Sequence, residues 1–323
     1  MSVWTAIVTF NRKQLLAQSL EAVYAQTLPS ARVIVVDNAS TDGTPEMLAE
    51  LGYTAREDFE LLRLPANTGG AGGFAAAVRA GTAGDADWLW LMDDDCVPRP
   101  DALRRLIESP PARERGVVCL CPKVEYPNGG IDANQRGHFR RRLRPLPAGE
   151  YRPGHHPELG FMSFVGSLVS VDAARRTGPP KAEFFVWGDD VEYSFRLRRR
   201  GTIRLVPDSV VVHHRAAHAY ETARSRALNR VSPVKFFPTP LERFWQNLCG
   251  LRNYIWMKRE YESQSAVSAA GTTLQFVVKH VVWDDHGLRR LPWILRYARA
   301  GRRGDFRNVS PQRWVELVRD GRV

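Results

Sequence analysis

Three consecutive carboxylates, Asp93, Asp94 and Asp95, follow the apolar run WLWLM at residues 88–92. Unpaired neighbouring charges of the same sign repel one another by about 1 to 4 kcal/mol per pair at surface-like dielectric. A hard divalent cation such as Mg²⁺ or Mn²⁺ relieves that repulsion, because such ions prefer oxygen ligands, and the bound ion can hold a diphosphate. The triplet by itself is equally compatible with a solvated acidic turn or a helix cap.

A second acidic pair, Asp189 and Asp190, stands at the predicted N-terminus of a helix, with Glu192 just inside it. Carboxylates at this position can serve as caps alone. The preceding run FFVW, however, would make a poor solvent loop, and a carboxylate in an apolar-walled pocket can have its pKa tuned to accept a proton. We therefore expect this pair to take part in proton transfer.

Two histidines, His213 and His214, end the β-branched run VVV at residues 210–212. Neighbouring residues of a strand point to opposite faces, so at most one of these rings can face the site of the carboxylates. A metal ligand is one interpretation, and an ordinary surface or core histidine is the other.

Glycine and short polar residues follow two predicted strands. NTGGAGGF at residues 67–74 leads from a strand into a helix, and its four glycines let the backbone approach a ligand. The chain lacks the G-x-G-x-x-G and P-loop patterns, so a dinucleotide dehydrogenase or a P-loop NTPase is not supported. Asp37 and Asn38 can offer an acceptor and an amide to a nucleobase, or cap an Asx turn.

Alternating strand and helix periods place these residues at the ends of strands. Strand patterns occur at residues 3–10, 32–40, 59–65 and 85–95, and helix patterns at 12–26, 44–53 and 72–81. This order predicts a parallel α/β sheet, whose carboxyl edge is where such folds bind ligands.

The remainder of the chain is less regular. Residues 122–160 are rich in Pro, Gly and Arg, and we predict no regular structure there. Residues 184–201 predict a turn leading into an amphipathic helix, and TIRLVPDSVVVHH at 202–214 predicts two short strands. After Tyr220, a Pro-punctuated linker leads into basic, aromatic-rich helices.

The net charge of +11 and the pI of about 9.8 indicate an anionic partner. A nucleic-acid-binding protein is the rival class, but the acidic motifs would repel a phosphate backbone, so we expect no nucleic acid. The four cysteines have neither disulfide nor zinc spacing, and no signal peptide or membrane span is evident. These features predict a cytoplasmic protein. Its basic C-terminal region could lie on an anionic membrane, and the equally open alternative is a basic helical cap that only packs on the preceding domain.

Four stretches taken together, AIVTFNR, VIVVDNASTDGT, NTGGAGGF and WLWLMDDD, resemble the N-terminal half of family 2 inverting glycosyltransferases with the GT-A fold. WGDDVEYSFRLRRRG, PDSVVVHH and LRNY follow in order, so the resemblance covers about residues 3–255. It implies a Rossmann-like mixed, mostly parallel sheet flanked by helices. The implied domains are a GT-A domain at 1–220, divided into nucleotide-sugar-binding (1–98) and acceptor or catalytic (99–220) parts, and a helical C-terminal region at 221–323.

The resemblance also implies roles for individual residues. Asp190 resembles the general base, supported by Asp189. Asp95 resembles the principal ligand of Mn²⁺ or Mg²⁺, and His213, six positions beyond Pro207, resembles a further ligand, with His214 as the alternative. Acceptor binding is implied for Trp187 and Gly188. The residues implied in binding the nucleotide sugar are Thr9, Phe10, Arg12, Asp37, Asn38, Asn67, Gly70, Asp93 and Asp94.

Within the family, NTGGAGGF, WGDDVEY and RNY most resemble bacterial transferases that add galactofuranose or rhamnose to cell-wall or capsular polysaccharide intermediates. The expected donor is UDP-galactofuranose, with dTDP-rhamnose as the alternative. The expected acceptor is a hydroxyl of a glycan or lipid-linked glycan. One departure is that GDD stands where the family more often has a Glu-Asp pair.

Overall fold

The computed structural model describes residues 1–140, 142–214, 230, 238–262 and 266–323. The chain divides into two compact units. Unit 1 comprises residues 1–182 and 189–215, and unit 2 comprises residues 183–188 and 216–323. The boundary expected at residue 220 lies outside the described residues.

Unit 1 is built on a central β-sheet. The described strands are β1 (Val3–Thr9), β2 (Arg32–Asp37), β3 (Phe59–Arg63), β4 (Trp88–Asp93), β5 (Cys96–Pro98), β6 (Val117–Glu125), β7 (Arg136–Arg140), β8 (Arg142–Pro145), β9 (Glu158–Leu159), β10 (Phe161–Met162), β11 (Ser167–Ser170) and β12 (Thr202–His213). The main sheet has the order β3-β2-β1-β4-β11-β6-β12-β5, with β9 beside β12. Strands β1 to β4 are parallel, as are β6 and β12, whereas β11 is antiparallel to both its neighbours. The expected mixed, mostly parallel sheet is therefore confirmed.

Helices cover both faces of this sheet. They are α1 (Lys13–Tyr24), α2 (Thr44–Glu50), α3 (Gly69–Ala83), α4 (Ala102–Glu108), α5 (Val171–Thr177) and α6 (Asp189–Arg198). Alternate residues of a strand enter opposite cores. Ile34 packs in the cluster that contains Phe74 of α3, whereas Val33 packs in the cluster that contains Leu16 of α1. Each such fully buried side chain contributes about 1.5 to 3 kcal/mol, which fixes the strand register and thus the positions of the strand ends.

The prediction of no regular structure at residues 122–160 was wrong. Strands β7, β8 and β10 form a second, antiparallel sheet, and β6 continues to Glu125. Two features hid this sheet. Its strands have at most five residues, too few for a clear alternation, and Arg136 in β7 looks like a surface residue although it is fully buried.

The prediction of two short strands at residues 202–214 was also wrong, because Thr202–His213 is one strand, β12. Its pairing with β6 shifts register between Val206 and Val210, around Pro207. Proline cannot donate a ladder hydrogen bond, but a bulge accommodates it without ending the strand. The bulge thus lets the strand run on to His213.

Unit 2 is helical, as expected for the C-terminal region. Its described elements are α7 (Phe244–Glu262), α8 (Ala266–Val277), a π-helical segment (Val278–Trp283), α9 (Gly287–Arg303) and α10 (Pro311–Arg319). Its core contains Phe244, Leu248, Ile294 and Trp314. Within the described ranges, the helices are too short or too polar to cross a bilayer.

Candidate active site

The ends of β1 and β4 bring a hydroxyl, a guanidinium and the acidic triplet into one network. Thr9 Oγ1 donates to Asp94 Oδ2 at 2.8 Å, and the backbone N–H of Phe10 donates to the same oxygen at 3.4 Å. Arg12 Nη1 donates to Asp94 Oδ1 at 3.2 Å and to Asp95 Oδ2 at 2.9 Å. The parallel pairing of β1 with β4 explains this convergence, because both strands end at the same edge of the sheet.

His213 brings the end of β12 to the same cluster. Its Nε2 lies 3.3 Å from Asp95 Oδ1, and its Nδ1 lies 3.4 Å from Asp132 Oδ2. The antiparallel pairing that sets His213 opposite Cys96 accounts for this position. His214 contributes a backbone N–H, which donates to the carbonyl of Asp95 at 2.8 Å. The geometry thus favours His213 as the histidine of this cluster.

Burial and mutual repulsion perturb the carboxylates of the triplet. Burial, together with the charge of Asp95, raises the pKa of Asp93 to about 7. Burial raises the pKa of Asp94 to about 6, against the opposing charge of Arg12. Burial would raise the pKa of Asp95 as well, but the contact with His213 has the larger effect and lowers this pKa below its usual value. The triplet therefore contains one acid that ionises easily and two that resist ionisation.

The imidazole of His213 is held between two carboxylates. Burial alone would lower its pKa, but the contacts with Asp132 and Asp95 outweigh burial and raise the pKa to about 9. A carboxylate on the far nitrogen of a histidine is the arrangement that orients metal-binding imidazoles. Binding of a cation to Nε2 would require loss of the proton there.

The donor set of this cluster fits a divalent cation. Ligand atoms of Asp93, Asp95 and Cys96 lie within 4.8 Å of one another. Asp95 Oδ1 is buried and accepts no well-directed hydrogen bond, so it can take a further partner. Burial raises the pKa of the Cys96 thiol well above its usual value, which makes this sulfur a poor ligand at neutral pH. The carboxylates of Asp93 and Asp95 with His213 are the candidate ligands.

The second acidic pair begins α6. The backbone N–H of Val191 donates to Asp190 Oδ1 at 2.7 Å. Burial raises the pKa of Asp190 to about 6, and burial together with the charge of Asp190 raises the pKa of Asp189 well above its usual value. Asp93 is among the charges that act on Asp189, so the two acidic motifs share one electrostatic environment. Burial therefore disfavours the ionised form of both carboxyl groups of the pair.

Asn38 has every side-chain hydrogen-bonding group occupied by the segment that starts α3. Its Nδ2 donates to Asn67 Oδ1 at 3.2 Å and to the carbonyl of Gly69 at 2.9 Å. Its Oδ1 accepts from the N–H and the hydroxyl of Thr68 at 2.9 and 3.0 Å. The side chain thus links β2 to α3, and contact of Asn38 or Asn67 with a nucleobase stays a prediction.

Asp37 keeps one oxygen for another partner. Its Oδ1 accepts from the backbone N–H of Ser40 at 2.8 Å. This hydrogen bond forms the Asx turn that was one of the two alternatives from the sequence. Its Oδ2 is fully buried and accepts no hydrogen bond, and Arg63 Nε lies 3.4 Å away. This oxygen is the better candidate for a nucleobase contact.

The glycine-rich stretch serves mainly to pack α3. A Cβ on Gly73 would lie 2.4 Å from Val8 Cγ1 of β1, and one on Gly72 would lie 2.2 Å from Thr68 Oγ1. At Gly70, by contrast, the space is open and the residue is exposed. Of these three glycines, only Gly70 is placed to admit a ligand at the start of α3.

Sequence reasoning missed Asp132 and Arg136. Both lie in the segment for which no regular structure was expected, and neither belongs to a motif. The fully buried guanidinium of Arg136 donates to the carbonyls of Pro122, Ser163 and Val165 at 3.2, 3.3 and 2.6 Å. Arg136 thus fixes the segment before β11, and its charge partly opposes the burial that raises the pKa of Asp190.

Trp187 belongs to a strained loop of unit 2. Phe185 and Trp187 have φ of 65° and 64°, which residues with side chains rarely adopt. Asn253 Nδ2 donates to the carbonyls of Phe184, Val186 and Trp187 at 3.0, 3.1 and 2.8 Å and holds this conformation. The Trp187 side chain is left 47% exposed. Asn253 belongs to the LRNY stretch at residues 251–254, for which the sequence predicted no role.

Comparison with known proteins gives one family. A family model described as Glycosyl transferase family 2 matches residues 5–177. Galactofuranosyltransferase GlfT1 of Mycolicibacterium smegmatis is 33% identical over 208 residues, which are 62% of this chain and 66% of that protein. The N-acetylglucosaminyl-diphospho-decaprenol L-rhamnosyltransferase of Mycobacterium tuberculosis is 26% identical over 238 residues, 65% of this chain and 75% of that protein.

Solved structures give the same fold at low sequence identity. GalNAc-T7 with UDP, GalNAc and Mn²⁺ superposes with a TM-score of 0.63 at 15% identity, over 99% of this chain and 57% of that chain. S. aureus TarS 1–349 superposes with a TM-score of 0.52 at 17% identity, over 99% of this chain and 92% of that chain. The GT-A fold expected from the sequence is thereby confirmed.

Proposed function

This chain belongs to glycosyl transferase family 2, and on that premise we propose that it transfers a sugar from a nucleoside diphosphate sugar to a glycan hydroxyl with inversion at the anomeric carbon. The observation that carries the proposal is the convergence of Arg12, Asp95 and His213 from separate strand ends. The charge of Asp93 also acts on Asp189, the first acid of the second pair.

The nucleotide is proposed to lie along the carboxyl edge of β1, β2 and β4. Asp37 Oδ2 offers a buried acceptor to the base, and Gly70 leaves room at the start of α3. Arg12 is half exposed while it contacts two carboxylates, so its guanidinium can turn toward a phosphate without leaving the cluster. Asp93 and Asp94 would then face the ribose and the diphosphate.

Asp93, Asp95 and His213 are proposed to hold Mg²⁺ or Mn²⁺. When bound, such an ion neutralises the diphosphate of the leaving nucleotide. Asp132 would keep the imidazole of His213 oriented by accepting a hydrogen bond from its Nδ1. Oxygen ligands with one imidazole suit Mn²⁺ and Mg²⁺ better than they suit soft metals.

Asp190 is proposed as the general base. Its carboxylate would accept the proton of the acceptor hydroxyl, whose oxygen then attacks the anomeric carbon as the bond to the diphosphate breaks. A base works best when its pKa lies near the working pH, and burial brings the pKa of Asp190 to about 6. Asp189, whose pKa is raised by burial and by the charge of Asp190, would support Asp190 in this role. Trp187 and Gly188 are proposed to contact the acceptor.

The proposed donor is UDP-galactofuranose, because GlfT1 is more similar in sequence than the rhamnosyltransferase. The alternative donor is dTDP-rhamnose. The proposed acceptor is a cell-wall or polysaccharide glycan carried on a lipid, by analogy with the diphospho-decaprenol substrate in the name of the rhamnosyltransferase. The matched region spans 66% of the length of GlfT1, so the activity of that whole protein enters here only as a proposal.

A thermal-shift panel of nucleotide sugars, each with and without Mn²⁺, tests this proposal. A ligand at a hundredfold excess over its Kd stabilises the folded state by about 2.7 kcal/mol. We expect the largest shift with UDP-galactofuranose and Mn²⁺, and no shift with that donor after Asp95→Asn. A larger shift with dTDP-rhamnose would select the alternative donor. Silence toward every nucleotide sugar would contradict the proposed function.

A further inference from the structure

An apolar groove runs between α8 and α9 of unit 2. Its volume is about 810 Å³, and its walls include Leu274 and Val277 of α8 and Leu291 and Leu295 of α9. Leu274 is 63% exposed and Leu295 is 54% exposed, so the groove opens to solvent along its apolar wall. A contiguous exposed apolar surface is a candidate interaction surface.

One end of the groove is strongly basic. Arg299, Arg302 and Arg303 line it, and all three side chains are exposed. Among the described residues, none of these guanidinium groups forms an ion pair with a carboxylate. The lining contains no acidic residue, and neither α8 nor α9 has one in its sequence. The positive charge is therefore available to an anionic partner.

Further exposed apolar residues lie on or next to the same two helices. Leu288 at the start of α9 is 80% exposed, and Val278 just after α8 is 45% exposed. On α9, Ile294 and Tyr297 are buried in the core of unit 2. The helix therefore presents leucines and arginines to solvent while a separate stripe packs inward. Leucine combined with arginine on an exposed helix is the composition that binds the interface of anionic bilayers.

We propose that the α8/α9 groove is a docking surface for an anionic lipid bilayer. The apolar wall would enter the boundary between headgroups and acyl chains, and the three arginines at its end would contact lipid phosphates. Charge complementarity selects this occupant, because an apolar partner would gain nothing from three unpaired guanidinium groups. The inference concerns binding in the absence of any sugar substrate, so it stands independently of the proposed donor and acceptor.

Vesicle flotation of the full chain tests the surface. We expect binding to vesicles of equimolar phosphatidylglycerol and phosphatidylcholine, weak binding to pure phosphatidylcholine, and loss of binding at high salt. The triple variant R299Q/R302Q/R303Q should bind on the order of 100-fold more weakly, since each basic residue near an anionic surface is worth roughly fivefold. The pair L274S/L295S should weaken binding by about tenfold or more.

Matched controls come from exposed residues of unit 1. The triple variant R79Q/R113Q/R115Q makes the same change in net charge, and L51S/L143S removes two similarly exposed leucines. Both controls should bind as the wild type does, and all variants should keep the wild-type melting temperature. Equal effects of the two arginine triples would overturn the proposal. A dimer that the leucine pair disrupts, with no vesicle binding, would assign the groove to a second copy instead.

Discussion

Two buried polar clusters, one in each unit, differ in how their charges are satisfied. In unit 1, Asp95 Oδ1 accepts no well-directed hydrogen bond although His213 Nε2 lies 3.3 Å away, and burial raises the pKa of Asp93 to about 7. In unit 2, the fully buried Arg252 donates to Asn253 Oδ1 at 2.9 Å, to the carbonyl of Phe184 at 3.0 Å and to Asn308 Oδ1 at 2.6 Å. The first cluster is destabilised in a way that a ligand can relieve, and the second is complete.

This difference separates binding from support. A buried polar group without a partner costs free energy, so a fold that keeps one gains when a ligand supplies the missing contact. A buried group whose bonding capacity is filled gains nothing from a ligand and instead fixes the backbone around it. Substitutions in the cluster around Asp95 should therefore change activity more than stability, and substitutions around Arg252 should do the reverse.

The largest expected effect is that of Asp190→Asn. Loss of a general base should lower kcat by about 10² to 10⁴, while donor binding persists. The pKa of Asp190 is higher in the folded chain than in an unfolded one, so its ionised form opposes folding at neutral pH. The variant should therefore melt at the wild-type temperature or above. Kinetics at saturating donor and a melting curve at pH 7 measure both effects.

The pH profile of the wild type sharpens this test. Because the base must be ionised, kcat should fall about tenfold per pH unit below a pKa of about 6. The acidic limb should be absent from the residual activity of Asp190→Asn. An unchanged acidic limb in that variant would show that another group is the base.

A smaller effect is expected for Asp132→Asn. This change keeps the shape of the side chain but removes the carboxylate beside His213 Nδ1. Loss of such an orienting group typically costs about 10- to 100-fold in metal affinity or activity. A Mn²⁺ titration of activity measures it, with Asp85→Asn as the matched control, because Asp85 is exposed. Equal Mn²⁺ dependence in both variants would contradict a metal-orienting role for Asp132.

The smallest effect on chemistry is expected for Asn253→Ala in unit 2. The change removes three hydrogen bonds to the loop of residues 183–188 and should lower the free energy of unfolding by about 1 to 3 kcal/mol. The loop carries Trp187, which is proposed to contact the acceptor. The acceptor KM should therefore rise, while donor binding and the pH profile stay as in the wild type. Asn134→Ala, at an exposed asparagine, is the control. A fall in kcat with unchanged KM and melting temperature would contradict the prediction that the cluster around Arg252 supports the fold and takes no part in the reaction.

The parallel half of the sheet could be predicted from the sequence because its signals are local. Strands β1 to β4 are apolar runs that end in polar residues, and α1 to α3 have helical spacing between them. The second sheet in residues 122–160 gave no such signal, because its strands are short and rich in arginine. The sequence predicted two strands in place of the single strand β12, because a proline usually ends a strand. In the structure a bulge accommodates this proline.

The sequence by itself determined that one acidic motif ends an apolar strand and that the other begins a helix, because strand and helix periods are properties of neighbouring residues. Only the tertiary structure decided that His213, not His214, faces Asp95 with its ring, and that Asp132, 81 residues away, orients that ring. It also decided that Asn253 holds the loop carrying Trp187, across 66 residues. Partners so far apart are chosen by the register of the sheet and the packing of helices, which no local pattern contains.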